Sequence, residues 1–425
     1  MSVAIESLFT QALGLTPPWE VEKVTLDTHR RRIDFGVRCT AKKLTCPVCG
    51  AAHQNIHDRL HRSWRHLDFF QFEAWLHADV PRVRCASCGK TTQMGVPWAR
   101  EGSGFTALFE ALALSLCQQM PVRQTAQLLR CADKQLWRRV GFYVGQARAR
   151  QDMSEVRIVG IDETSIKRGH QYITVVHDLD ADCLLFATEG REATTLDEFA
   201  ADLRAHGGDP AQIEHACTDM SAAYIKGVAQ ALPQATINFD RFHVIKLASE
   251  AMDEVRSAEL RQAPQALQAL GKDERKNLMW GMRKNPGGWT RGQVDAMHSL
   301  QRSNLKSARA WRLKVALQEV YAHARASNDA ALANKELRSW VNWARRCRLE
   351  PFKRLGATIK ARFAGVVSGM LDHRSNAYVE AMNGLLQQAK RAARGYRTSR
   401  NFIDIAYLRM SKLTHLPPNP FVAWA

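Results

Sequence analysis

The sequence lacks any apolar run of transmembrane length, and its opening residues, Met1-Ser2-Val3-Ala4-Ile5-Glu6, lack the charged and apolar regions of a secretory leader. No lipidation motif and no basic amphipathic anchor stands out. The expectation is a soluble, intracellular protein with no membrane partner. That compartment disfavours disulfides, although the chain has 10 cysteines. Acid is the other shortage. Asp and Glu total 42 against 60 Lys and Arg, a net charge of +18 with a pI near 9.7. A field of that sign attracts polyanions and favours nucleic acid. A hydrophobic content of 45% excludes wholesale disorder, and 425 residues suggest roughly two to four domains.

The stretch that organises the chain is Val156-Arg157-Ile158-Val159-Gly160-Ile161-Asp162-Glu163-Thr164. Its β-branched residues read as a buried strand that delivers a carboxylate at its C-terminal edge. Gln171–His177 and Cys183–Thr188 read as two further strands. The polar segments Lys167-Arg168-Gly169-His170 and Asp180-Ala181-Asp182 would turn the three into an antiparallel meander. Alone, the carboxylate could be a strand cap or a surface ion pair. Two other acids make it more than that. Ile213–Asp219 is a short strand ending in an acid, set between helical patterns at Thr195–His206 and Ala222–Leu232, and Glu380 lies in a late amphipathic helix. Strand–strand–strand–helix–strand–helix–strand, with acids on the first strand, the fourth strand and a late helix, is a ribonuclease-H-like layout. Shared carboxylates suit two hard divalent cations about 3.5–4 Å apart, the arrangement phosphodiester chemistry uses.

Ahead of this core, Cys46-Pro47-Val48-Cys49-Gly50 and Cys85-Ala86-Ser87-Cys88-Gly89 are two Cys-x-x-Cys-Gly knuckles. Each aims two thiolates at one tetrahedral ion, so Cys46, Cys49, Cys85 and Cys88 are expected to hold a structural zinc. The interval between the knuckles exceeds ordinary ribbon spacing and implies an inserted hairpin, with strands at Phe69–Leu76 and Val80–Arg84. His53, His57, His61 and His66 compete as ligands, but four thiolates already complete the site. Cys39 reads as core. Residues 1–35 read as a cap, with a helix over Ile5–Leu13 and a strand over Val21–Leu26.

Helical patterns follow at Phe105–Leu114, Val122–Leu129 and Lys134–Arg148, with a turn at Arg130–Asp133. Ala126, Cys131 and Val140 sit where two helices cross closely, which fits a helix-turn-helix as well as a plain three-helix bundle. The basic chain and the ribbon favour the DNA-reading unit, with Gln135, Arg138 and Arg139 as exposed contacts. Residues 244 to about 365 read as helix throughout. From Lys272 to Lys314 they hold eleven Lys or Arg against three acids, with Trp280, Trp289, Trp311 and an Asn285-Pro286-Gly287-Gly288 turn. A solvated helical face accounts for most of that charge, and its excess suggests contact with DNA. From Ala381 to Arg400 there is no acid, and Gln387, Lys390, Arg391, Arg394 and Arg397 are expected to continue the Glu380 helix as backbone contacts.

Ile161-Asp162-Glu163, Thr218-Asp219-Met220-Ser221, Asn238-Phe239-Asp240-Arg241-Phe242-His243-Val244, Ser375-Asn376 through Glu380, and Asn383 to Arg391-Gly395 occur in the order seen in one family. On those pieces the chain resembles bacterial insertion-sequence transposases of the Asp-Asp-Glu type, of the ISL-three family. That family would place Gly directly after Glu380, where Ala381 stands; the carboxylate itself is kept. The resemblance implies a multidomain α/β protein: a ribonuclease-H-like mixed sheet with a helical insertion, preceded by zinc ribbon and helix-turn-helix. The expected division is 1–35 cap, 36–98 ribbon, 99–152 helix-turn-helix, 153–250 and 369–425 catalytic core, and 251–368 insertion. It implies that Asp162, Asp219 and Glu380 hold two Mg²⁺, with Mn²⁺ able to substitute. It assigns Asp219 over its rival Asp240, which would orient His243 or cap the following helix. Double-stranded DNA, as terminal inverted repeats and target, would be the partner of a homodimer in the cytoplasm at the nucleoid. The implied reaction is hydrolysis at the element's ends, then attack of the freed 3′-hydroxyl on target DNA, with no covalent enzyme intermediate. The competing readings are a DNA-binding regulator with an inert catalytic domain and a structure-selective nuclease on the same fold.

Overall fold

The computed structural model describes residues 4–167, 171–262, 271–284, 286–372 and 377–422. Arg168, Gly169 and His170 of the first expected turn, Asn285 of the later turn, and Ser375-Asn376 lie outside the described residues. The chain divides into two units, Met1–Ala147 with Thr414 onward, and Arg148–Leu413.

The first unit runs α1 (Ile5–Ala12), β1 (Trp19–Asp27), β2 (Arg32–Cys39), β3 (Lys43–Leu44), β4 (Gln54–Arg65), β5 (Glu73–Arg84), β6 (Thr91–Gln93), α2 (Ala107–Gln119), α3 (Val122–Leu128) and α4 (Asp133–Arg148), the last residue of α4 opening the second unit. Its sheet has the order β1-β2-β5-β4-β3, with β6 also on β5. Alternation builds the core: every second residue of β2, Ile33, Phe35, Val37 and Cys39, is buried. Cys39 is therefore core, and the expected boundary at residue 35 falls inside β2, whose neighbours are β1 and β5. The hairpin between the knuckles is β4 with β5, not the two strands expected at Phe69–Leu76 and Val80–Arg84. Phe69 and Phe70 lie in the turn, and Glu73–Arg84 is one strand through Pro81. A proline is tolerated there because β2 pairs β5 only up to Ala78 and β6 pairs it only from Arg82. The missing N–H falls in the gap.

The second unit runs β7 (Ile158–Lys167), β8 (Gln171–Asp178), β9 (Cys183–Glu189), α5 (Thr194–Ala205), β10 (His215–Thr218), α6 (Ala222–Ala231) and β11 (Thr236–Phe239). Among the described residues seven α-helices follow: α7 (Arg241–Gln262), α8 (Lys272–Arg283), α9 (Arg291–Arg302), α10 (Lys306–Ser327), α11 (Ala330–Arg346), α12 (Glu350–Ala361) and α13 (Phe363–Leu371). Then come α14 (Ala377–Ala392) and α15 (Ser399–Met410). The sheet order is β11-β10-β7-β8-β9, with β10 parallel to both neighbours and β7, β8 and β9 antiparallel. This is the ribonuclease-H-like order. Leu196, Phe199, Leu203, Tyr224 and Val228 of α5 and α6 pack on one face against Val159, Ile161 and Val176.

The helices after β11 build a second core, including Met252, Met282, Met297, Leu317, Leu337 and Phe352, which takes in Phe239 of β11 and has Ile237, Ile225 and Met220 packed against it. Buried charge is used there to close helix ends. Glu259 accepts from the Lys306 and Ser307 amides at 2.7 and 2.8 Å, the N-terminus of α10, while Lys314 Nζ donates to the Met282 and Arg283 carbonyls at the end of α8. Of the tryptophans, Trp311 is buried, Trp289 packs against that core, and Trp280 is 42% exposed. The excursion returns to the sheet through α13. A Cβ on Gly365 or Gly369 would collide with Phe239, so the helix lies directly on β11. Ser368 Oγ donates to Asn238 Oδ1 at 2.6 Å, and Asn238 Nδ2 donates to Asp372 Oδ2 at 2.5 Å.

Candidate active site and metal centre

In the first unit the two knuckles repeat one backbone pattern. The Gly50 amide donates to the Cys46 carbonyl and Gly89 to Cys85, both at 3.0 Å, with the two glycines at φ +72° and +71°. Only glycine adopts that φ at little cost, which is why each pair closes with it. The four sulfurs lie within 4.8 Å of one another, with Cys46–Cys88 at 3.9 Å and Cys49–Cys85 at 3.5 Å. Zinc–sulfur bonds of about 2.3 Å in a tetrahedron put sulfurs about 3.8 Å apart, so the cluster has the right dimensions. The Cys88 amide donates to Cys85 Sγ, and such bonds hold the Cys85 thiol down at about 6. The histidines stay outside the cluster. His61 meets Asp79 at 2.9 Å, and His66, half-buried and held down at about 4 by desolvation, meets Thr106.

On α4, Gln135 and Arg138 are exposed. Arg139 is not: its side chain is 11% exposed, and its Nε donates to the wholly buried Glu110 at 2.8 Å. Its expected place among the exposed contacts is therefore corrected. Helix spacing could not tell whether its guanidinium pointed outward, and a buried acid on α2 drew it in.

In the second unit the acids form a row. β7 continues past Asp162 to Lys167, so Asp162 is mid-strand rather than at a strand end; pairing with β8 carries the strand onward. β10, however, pairs β7 only up to Cys217 opposite Gly160. Two residues further on, Asp219 is level with Asp162. Thr218 pairs with Phe239, so one residue further Asp240 is level with Asp219, and the Asp240 amide donates to the Thr218 carbonyl at 3.3 Å. Three carboxylates thus leave three adjacent strands, β7, β10 and β11, at one level. Burial pushes Asp162 up to about 6, against the Glu163 amide that donates to it and with neighbouring Asp219 adding to the rise. Glu163 meets Arg191 at 3.9 Å instead.

α14 brings in the rest. Glu380 lies with Asp240 and His243, ligand atoms within 4.8 Å of one another, and burial and Asp240 raise its carboxyl. His243 Nδ1 is 3.2 Å from Asp240 Oδ2, a contact that raises the imidazole. One turn beyond Glu380, Asn383 Nδ2 donates to Asp162 Oδ2 at 2.7 Å. The sequence motif that contains Asn383 does not by itself give it a role; its spacing of three from Glu380 is the signal that could.

The basic residues of this helix separate into two groups. Lys390 Nζ donates to the Ser165 carbonyl at 2.6 Å, which engages it within the fold. Arg391, Arg394 and Arg397 are exposed, but α14 ends at Ala392. Arg394 at φ +57° and Gly395 at φ +95° terminate it, with the Gly395 amide donating to the Lys390 carbonyl, so the expected continuous helix through Arg397 is corrected.

The fold is that of a multidomain α/β protein with a ribonuclease-H-like sheet, a helical insertion, a zinc ribbon and a helix-turn-helix. Family models match in the same order: a zinc finger of transposases IS204/IS1001/IS1096/IS1165 over residues 42–88, a helix-turn-helix domain of transposase family ISL3 over 96–144, and a transposase domain over 159–406. The chain belongs to the ISL3 family of transposases. It is 30% identical over 388 residues to the transposase for insertion sequence element IS1557 of Mycobacterium tuberculosis, covering 84% of this chain and 83% of the relative. It is 25% identical over 402 residues to the transposase for IS1001 of Bordetella parapertussis, covering 92% and 95%. Among solved structures it is similar to the Drosophila P element transposase strand transfer complex, with a TM-score of 0.42 and 10% identity, over 75% of this chain and 95% of that one. Among the described residues no helix is long and apolar enough to cross a membrane.

Proposed function

We propose that this transposase cleaves the ends of an insertion sequence and joins the freed 3′-hydroxyls to target DNA at the site formed by Asp162, Asp219 and Glu380. The observation that carries the reading is the level row of carboxylates on adjacent strands, with Glu380 supplied from α14. The donor types fit divalent cations: Glu380 meets Asp240 and His243, Asp162 lies beside Asp219 in the row, and the Oδ1 of Asn383, whose Nδ2 is bonded to Asp162, is buried without a partner among the described residues. Asp162, Asp219 and Glu380 would hold two Mg²⁺, or Mn²⁺. Metal held by these residues would supply activation of an attacking oxygen and stabilisation of the leaving one.

The protein's own groups do the rest. The Glu163 and Ser221 amides donate to Asp162 and Asp219, each at 2.8 Å, and fix those carboxylates. Asp240 holds His243, whose ring faces the same acids. The proximity of Asp240 to Glu380 favours a second assignment, in which Asp240 takes the place given to Asp219. Gln135, Arg138, Arg391, Arg394 and Arg397 are assigned to DNA, with residues 36–152 reading the terminal repeats and the protein acting as a dimer. The division into a core of 153–250 with 369–425 and an insertion of 251–368 is kept as part of this reading.

The test is cleavage and joining of end-containing DNA by the intact protein and by Asp162→Ala, with and without Mg²⁺. Metal-dependent products that disappear in the variant support the reading. Unchanged products in Asp162→Ala remove it.

A further inference from the structure

Glu380, Asn383, Gln387 and Lys390 follow one another at helical intervals of three or four, so one side of α14 presents them. Three of the four are bonded to β7. Gln387 Nε2 donates to Thr164 Oγ1 at 2.6 Å and to the Ser165 carbonyl at 3.0 Å, and Lys390 Nζ reaches the Ser165 carbonyl and hydroxyl at 2.6 and 3.1 Å. With Val379, Leu386 and Ala389 buried, these contacts already dock the helix. The Asn383 bond differs, because it lands on a carboxylate of the site.

Asn383 has a second unusual property. Its Nδ2 is committed to Asp162 Oδ2, while its Oδ1 is buried and has no hydrogen-bond partner among the described residues. A buried acceptor without a partner costs stability, and an apolar side chain of the same size would avoid that cost. An amide oxygen is also a hard, uncharged donor, of the kind that completes divalent-cation sites where more carboxylates would repel one another. Asp162, Asp219, Asp240 and Glu380 already crowd this one.

We propose that Asn383 is a further residue of the metal site, orienting Asp162 through Nδ2 and offering Oδ1 as a neutral oxygen to the divalent cation. The proposal rests on the reading of Asp162 as a metal ligand. It makes α14 the carrier of two donors, Glu380 and Asn383, and ties its docking to the rotamer of the first aspartate.

The test is Mn²⁺ binding to the full-length protein without DNA, followed by electron paramagnetic resonance, alongside kcat and KM for cleavage. Asn383→Ala should weaken Mn²⁺ binding on the order of tenfold and lower kcat, with KM for DNA changed by less than about twofold. Asn383→Leu, which keeps the volume, should melt no lower than the unsubstituted protein and show the same loss of Mn²⁺. Gln387→Ala, which removes a docking contact only, should keep Mn²⁺ affinity. Unchanged Mn²⁺ affinity in both Asn383 variants overturns the proposal, as does an equal loss in Gln387→Ala. Asp162→Ala separates the two levels: if it too binds Mn²⁺ normally, the metal-site reading fails, whereas if it alone loses Mn²⁺, only the role of Asn383 fails.

Discussion

Arg139 on α4 and Glu110 on α2 form an ion pair at 2.8 Å in which the carboxylate is wholly buried. Arg100, Ser103 and Tyr143 also donate to that carboxylate, at 3.0, 2.6 and 2.7 Å, so one acid gathers two helices and the loop before them. Removing one partner of a buried pair costs about 3 kcal/mol at the low end, which applies here because Arg100, Ser103 and Tyr143 still donate to Glu110. Arg139→Ala is therefore expected to lower the melting temperature by several degrees. Arg138→Ala, at an exposed position, should leave melting unchanged and weaken binding to end DNA. Calorimetry and a DNA titration on both variants check this; equal melting temperatures would return Arg139 to the surface.

Metal analysis of the purified chain is expected to find about one zinc, since four thiolates complete one tetrahedral site. Cys88→Ser should lose it and expose the β4–β5 hairpin to protease. Chelation of the intact protein should do the same while leaving the α5–α6 face of the second sheet protected from hydrogen exchange. A folded, metal-free chain with an unchanged digest would remove the site.

The two assignments of the second carboxylate give opposite outcomes. On the proposed reading, Asp219→Asn and Glu380→Gln are expected to lose cleavage by orders of magnitude while end-DNA affinity stays within a few-fold, because each would remove a ligand of ions that would stabilise the in-line transition state. Asp240→Asn should lower cleavage less, acting through His243. If Asp240→Asn abolishes the reaction and Asp219→Asn does not, Asp240 takes the ligand position.

His177 on β8 is fully buried, with neither ring nitrogen hydrogen-bonded among the described residues, and burial holds it down at about 4 against an ordinary 6.5. The unfolded chain takes up that proton first. The stability His177 contributes is thus fully present above pH 6.5 and is lost as pH falls towards 4, a difference of about 3 kcal/mol. Denaturant unfolding of the second unit followed from pH 7 to pH 4 should show the decline, and His177→Phe should flatten it. A slope identical in the two proteins rejects the assignment.

Much of this was legible because β7, β8 and β10 write their burial as short apolar runs ending in acids, and because the knuckles carry their own geometry. What was not legible has physical causes. Pro81 reads as a break, and only the gap between two partner strands allows it inside β5. Asp162 reads as a strand end, although its pairing on the β8 side continues where that on the β10 side stops. Gly395 did signal the end of α14, and the basic run around it hid that signal. Whether Arg139 or Lys390 faces water depends on Glu110 and Ser165, partners distant in sequence that periodicity does not name.

The helices that follow β11 leave the sheet just after Phe239 and come back against the same residue through Gly365 and Gly369 of α13. Departure and return share one address. The sheet meets the detour through β11 and the residues packed beside it, so shortening or extending the helices far from that contact should disturb the strands little. Changes of length fit at that far end, whereas a single added methyl at Gly369 would be felt at the departure point itself.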